Sequence, residues 1–149
     1  MGRRHHSIIS KLNRNTAQRQ ALFKVQLKQL IELGSITTTV TKAKVIKRLF
    51  DRLASKAVDG TLHDRRGIAA DLSSPKSANR LFDLIVPAMG GRKSGFTTIQ
   101  KNGIRKGDST PTASLSLVVP LPPTPVKEKK IVEKKLAPKK IADKVKKTK

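Results

Sequence analysis

Apolar residues recur at helical spacing in three stretches of the chain and alternate in one. Between residues 16 and 33, Phe23, Leu27, Leu30 and Ile31 fall on one face, with Arg19, Lys24 and Lys28 elsewhere around the cylinder. The spacing predicts a helix over 16–33, capped by Asn15 with Gln18 three residues on and closed by Gly34. Thr-rich residues 35–40 read as a short strand. Thr41 then stands as the cap of a second helix, 42–57, in which Ile46, Leu49, Phe50, Leu53 and Ala57 share a face and Asp59-Gly60 marks the end. A shorter helix follows over 63–72. Ser74-Pro75 supplies the cap and first-turn proline of another, 75–86, which buries Leu81, Phe82 and Ile85 before Pro87 and Gly90-Gly91 break it.

Two strands complete the pattern, 96–101 and 112–119. In the second, Ala113, Leu115, Leu117 and Val119 alternate with Ser114 and Ser116, the period of a half-buried strand. Asn102-Gly103 and Gly107-Asp108 are turn signals. The order helix–strand–three helices–two strands gives an α+β fold of two layers, with helices on one side of a small sheet. There is no internal repeat.

Composition divides the 149 residues into three parts. Residues 1–14 form a basic arm, and no acid occurs in the chain before Glu32. Residues 15–119 carry the α+β pattern. From Pro120 to Lys149 the chain is rich in Pro and then in Lys, with Glu128, Glu133 and Asp143 its only acids. Prolines 120, 122, 123 and 125 favour extended geometry, and Pro138 interrupts the weak Ile131, Leu136, Ile141 pattern. That tail has too little apolar surface to offset its ordering entropy, so it is expected to be disordered or ordered only by a partner.

Charge decides the class of partner. Lys and Arg number 33 against 10 acids, a formal net charge of +23. A fold with so much like charge repels itself, and a polyanion is its natural partner. The chain has no Cys, Trp or Tyr. Disulfides, thiolate metal sites and Cys nucleophiles are therefore excluded, and the composition suits a reducing compartment. No apolar run approaches the roughly 20 residues of a membrane span. The start of the chain lacks the apolar core of a secretory signal, and His5-His6 with Asn and Gln breaks the amphipathic pattern of a transit peptide. A soluble intracellular protein is expected.

Catalytic patterns are missing. The three His are 5, 6 and 63, and the acids Asp51, Asp59, Asp64, Asp71 and Asp83 fall where helix pairing or capping explains them. No nucleophile elbow, phosphate-binding glycine loop or metal-ligand spacing occurs, and His5-His6 alone cannot close a metal site. Neither an enzyme nor a metal or other cofactor is expected, and no small-molecule substrate.

Binding chemistry concentrates in three places. Arg3, Arg4, His5, His6, Lys11, Asn13, Arg14, Asn15 and Arg19 form an acid-free stretch that can neutralise phosphates and offer donors to sugars and base edges. Gly90-Gly91-Arg92-Lys93-Ser94-Gly95 combines close-approach glycines with two cations, and Lys101, Arg105 and Lys106 on the following hairpin extend it. Lys42 and Lys44 open the second helix. The four Phe are better placed as core than as base-stacking platforms, which favours backbone and shape recognition of folded RNA.

Several of these motifs, in series, resemble those of the bacterial large-subunit ribosomal protein of the L-seventeen family. Leu12-Asn13-Arg14-Asn15 with Arg19-Gln20-Ala21 and Phe23 is similar to its N-terminal signature. Ile36-Thr37-Thr38 with Lys42-Ala43-Lys44 is similar to its strand-to-helix junction, and Gly95-Phe96-Thr97 through Ile99, then Arg105-Lys106-Gly107-Asp108 and Ala113, to its hairpin. The likeness covers nearly all of residues 3–119, with His5-His6 and Ser7–Ser10 departing from the family's more basic arm, and the tail exceeds it. It implies a structural constituent of the large ribosomal subunit, cytoplasmic and ribosome-bound. Its place would be near the outer mouth of the polypeptide exit tunnel, with large-subunit ribosomal RNA and neighbouring large-subunit proteins as partners. A histone-like DNA-binding architectural protein is the alternative, though no dimer interface or groove-inserting arms are evident. A membrane-active protein would need a better amphipathic basic helix than 127–149.

Overall fold

The computed structural model describes residues 10–120; the arm residues Arg3, Arg4, His5 and His6 and the expected tail lie outside the described residues. The elements run α1 (Thr16–Leu33), β1 (Ser35–Thr39), α2 (Val40–Asp59), α3 (Leu62–Leu72), α4 (Pro75–Arg80), then β2 (Thr97–Ile104) and β3 (Pro111–Leu117). Beyond Arg80, α4 continues through a π-helical stretch, Leu81–Ile85, and a last turn, Val86–Ala88. The α+β order expected from the pattern is present.

Local chemistry sets most boundaries. Asn15 Oδ1 accepts from the Gln18 amide at 2.9 Å and starts α1. Gly34, at φ 76°, ends it, a left-handed conformation that a side chain would strain. Ser74 Oγ caps α4 by accepting from Ser77 N, with Pro75 in the first turn.

Most other ends shift by one or two residues, β3 for instance stopping at Leu117 instead of 119, and three departures have a clear physical cause. Helix α2 starts at Val40 with Thr39 as its cap residue, because β1 stays paired through Thr39↔Thr112 and the helix follows at once. Pro87 does not break α4. It has no N–H to donate, and the turn before it widens so that Val86 N reaches the Leu81 carbonyl. Asn102-Gly103 is not a turn; the register slips there between Lys101 and Gly103, a bulge that lets β2 continue to Ile104.

The strand order is β1-β3-β2, both pairs antiparallel. Leu115 sits opposite Ile36 on one side and Ile99 on the other, so its row faces the helices. Ala113, Leu115 and Leu117 close the core from the sheet. From the helices come Leu30 and Ile31 of α1, Ile46 and Phe50 of α2, Ile68 and Leu72 of α3, and Leu81 and Ile85. All four Phe are buried, as expected. Among the described residues no second layer covers the opposite face of the sheet. Thr39, Thr37 and Ser35 of β1 stand there opposite Thr112, Ser114 and Ser116 of β3.

Candidate nucleic-acid interface

The described part of the arm is not a free strand. Leu12 and Asn13 both take positive φ, 53° and 52°, and Arg14 N donates to the Lys11 carbonyl at 3.1 Å. Leu12 packs against the core, which anchors the turn and leaves Lys11, Asn13 and Arg14 exposed at the start of α1. Arg19 folds back, its Nη1 donating to the Arg14 carbonyl at 3.5 Å. Asn13 thus has a conformational reason to be there, since Asn tolerates the left-handed region better than most residues. Asn15 spends its carbonyl oxygen on the helix cap. With no acid in the first turn of α1, the positive end of the helix dipole adds to these cations.

The remaining predicted residues separate into two groups at opposite ends of the sheet. Lys42 and Lys44 follow the end of β1, where Thr39 pairs with Thr112 and Ile104 with Pro111, so they share that end with Arg105 and Lys106. Arg92 and Lys93 precede Phe96 at the other end, beside Thr97↔Leu117 and Ser35↔Ser116. Their loop turns on Gly90, Gly91 and Gly95, all at positive φ with open space around them. Lys101 lies in between, exposed on β2.

Arg105 is committed within its own hairpin. Its Nε donates to Asp108 Oδ1 at 3.0 Å and its Nη2 to Asp108 Oδ2, while Thr110 N donates to Asp108 Oδ1 at 3.3 Å. These bonds hold the Asp108 carboxyl well below the usual carboxylate range, the Arg105 guanidinium being the largest cause.

Helix α2 carries a basic row that the sequence analysis largely missed. Lys44, Arg48, Arg52 and Lys56 recur every four residues and are all exposed. At about 1.5 Å per residue they step roughly 6 Å apart along one side of the helix. The only acid among them, Asp51, is turned to other use: its Oδ1 accepts from Phe96 N at 3.3 Å and from Thr97 Oγ1 at 3.5 Å. Burial is the main cause pushing the Asp51 carboxyl up, opposed by these bonds and by Lys47. The four-residue spacing was the available signal for the row; nothing in the sequence announced the Asp51 contact across 45 positions.

A groove of about 480 Å³ lies between α1, α2 and α3. Phe23, Leu27, Leu49 and Leu53 form its floor, and Lys24, Arg52, Lys56 and Asp71 its rim. Lys24 is tied to Ser73 Oγ at 2.8 Å. Among the described residues Asp71 is the only acid lining the groove, and no acid–base or nucleophile–base pair converges in it. Among the described residues no cluster of three His, Cys, Asp or Glu could hold a metal, and no helix is long and apolar enough to cross a membrane.

Fold and surface together define a small α+β protein whose chemistry is the display of positive charge on a fixed frame. The family model for ribosomal protein L17 matches residues 22–118. The chain is 42% identical over 115 residues to a large ribosomal subunit protein bL17 of Solibacter usitatus, covering 77% of each chain. It is 41% identical to that of Nitratidesulfovibrio vulgaris over 85% of this chain and 97% of the relative, and 41% identical to that of Thermus thermophilus over 77% and 98%. The chain belongs to the ribosomal protein L17 family, and it is a structural, non-enzymatic ribosomal protein.

Proposed function

We propose that the protein is a structural constituent of the large ribosomal subunit that binds ribosomal RNA near the outer side of the polypeptide exit tunnel and stabilises its folded form. The observation that carries this reading is the cationic surface of α2, whose one interleaved acid is turned away to Phe96. A +23 chain cannot crowd such rows together without a polyanion to neutralise them.

Three contacts contribute. The arm, residues 1–14, enters RNA crevices, its Arg3, Arg4, His5 and His6 preceding the fixed turn of Lys11, Asn13 and Arg14. The domain, 15–119, presents Asn15, Arg19, Lys42 and Lys44, with Arg92 and Lys93 at one sheet end and Lys101 and Lys106 towards the other. Arg105 serves mainly by fixing the hairpin through Asp108. The tail, 120–149, adds Lys but has no assigned contact. Neighbouring large-subunit proteins are the other partners, and the protein is cytoplasmic and ribosome-bound.

Sedimentation of tagged protein from lysate, at low and high salt and with and without RNase, tests this. Co-migration with the large subunit after a high-salt wash is expected. Recovery with the nucleoid, or loss from every particle at modest salt, would instead make DNA the partner.

A further inference from the structure

The face of the sheet turned away from the helices is made of neutral hydrogen-bonding groups. Register places Ser35 and Thr37 of β1, Ser114 and Ser116 of β3, and Thr98 and Gln100 of β2 side by side on it. Thr37 and Ser114 lie within 3.4 Å of each other through their hydroxyls, which confirms the shared side. Asn102, at the bulge, adds its amide to Ser114 Oγ at 2.6 Å. Among these described residues there is no charged side chain and no apolar one, in a chain of which 29% is charged. Exposed edge strands are ordinarily protected by outward charges, Lys above all. Here both edges, β1 and β2, present hydroxyls and amides on this face instead. Among the described residues nothing covers this face, and a surface of this kind suits one that is covered in the working state.

We infer that this face seats the minor groove of an A-form RNA helix. That groove is wide and shallow and displays 2′-hydroxyls and base edges rather than phosphates. Ser, Thr, Asn and Gln side chains both donate and accept, so they match 2′-hydroxyls, which do the same. The charge pattern favours RNA over a protein partner. The five paired rows of β1 and β3 span about 14 Å, with Lys42, Lys44 and Lys106 beyond one end and Arg92 and Lys93 beyond the other. A neutral strip between two cationic ends fits a groove floor between two phosphate backbones. A protein surface would have no reason to be anionic on both sides of a neutral band. The inference rests on the reading that the chain binds ribosomal RNA and names the part of the RNA this face meets.

The test uses the full chain and a 16-base-pair RNA duplex, alongside the same duplex with 2′-fluoro sugars, which keeps A-form geometry and phosphates but removes the hydroxyl donor. The wild type is expected to bind the RNA about tenfold more tightly, the equivalent of one or two lost hydrogen bonds. The triple variant Thr37→Val, Thr98→Val, Ser114→Ala should lose that preference while keeping the same salt dependence, because the cations remain. Thr98→Glu, on the exposed edge strand, is the second variant should the triple one fold poorly; it should weaken both duplexes and leave the thermal midpoint near the wild-type value. Equal binding of the two duplexes by wild type, or a preference that survives the triple substitution, would overturn the inference. So would a triple variant that keeps its RNA preference but enters the large subunit less well, because a protein would then occupy the face. A wild type that ignores duplex RNA yet still sediments with the large subunit sinks this inference alone. Absence from the subunit as well would remove the functional reading with it.

Discussion

Arg80 Nε donates to the carbonyl of Ile31 at 3.0 Å, and its Nη2 to that of Glu32 at 3.4 Å. One side chain of α4 thereby satisfies two of the carbonyls that α1 leaves unpaired at its C-terminal end, and places a positive charge at the negative end of the helix dipole. The last turn of α1 has no basic residue of its own. The cation comes from a helix 49 positions away and fastens α4 to α1.

Replacing Arg80 with Ala should therefore destabilise the domain by about 1–3 kcal/mol, the range for charged hydrogen bonds to carbonyls left without a partner. Urea unfolding checks this: the midpoint should fall with an unchanged slope. Arg80→Lys should recover only part of the loss, since an ammonium is a point donor and cannot span both carbonyls as the guanidinium does.

Asp51 gives a prediction with opposite signs for two substitutions. Its carboxylate is an acceptor for Phe96 N and Thr97 Oγ1, but burial penalises its charge. Asp51→Asn keeps an oxygen acceptor and removes the buried charge, so stability at pH 7 should be retained or raised. Asp51→Ala leaves the Phe96 amide without this partner and should cost about 1–3 kcal/mol. Because the folded-state pKa is raised, the contribution of Asp51 is fully present below the ordinary carboxyl value of 3.8 and is lost as pH rises through the raised value. The advantage of Asn over Asp should accordingly widen between about pH 4 and neutrality in urea titrations at several pH values.

How much of this was legible depends on the range of the interaction that decides it. Asn15, Gly34 and Ser74 announce helix ends because a cap acts within three or four residues. Thr41 is as good a cap type as Thr39, and only the pairing of Thr39 with Thr112, far along the chain, fixes where β1 ends and α2 begins. Asn102-Gly103 carries a strong turn signal, but pairing with β3 on both sides of it turns the signal into a bulge. The site divides in the same way. The Arg and Lys of the arm stretch, glycine loop and hairpin stand together in sequence, whereas Arg80 reaching Ile31 and Asp51 reaching Phe96 exist only once the chain has folded.

Asp108 behaves in the reverse sense to Asp51. Its pKa is lowered by Arg105 and Thr110, so its contribution is present above the ordinary carboxyl value of 3.8 and is lost as pH falls through the lowered one. The pair is solvent-exposed and salt will screen it. The check is carboxyl chemical shifts followed by NMR through the acid range. Asp108 should titrate well below the usual carboxylate range in wild type and return towards it in Arg105→Gln.

The α2 row supplies the most direct test of how the protein holds RNA. If Lys44, Arg48, Arg52 and Lys56 each neutralise a phosphate, each bound cation releases counterions, and the slope of log affinity against log salt records their number. Single Lys→Gln or Arg→Gln substitutions at 44, 52 and 56 should each weaken binding to large-subunit RNA and reduce the magnitude of that slope by about 1. Lys76, an exposed cation at the start of α4 and outside the row, is the control, and Lys76→Gln should leave the slope unchanged. Thermal midpoints should hardly move, because each of the three side chains is solvent-exposed and no α2 cation closes the core. An unchanged slope in the Arg52 and Lys56 variants, with a reduced one at Lys44, would confine the contact to the first turns of α2, beside the sheet end where Lys42 stands.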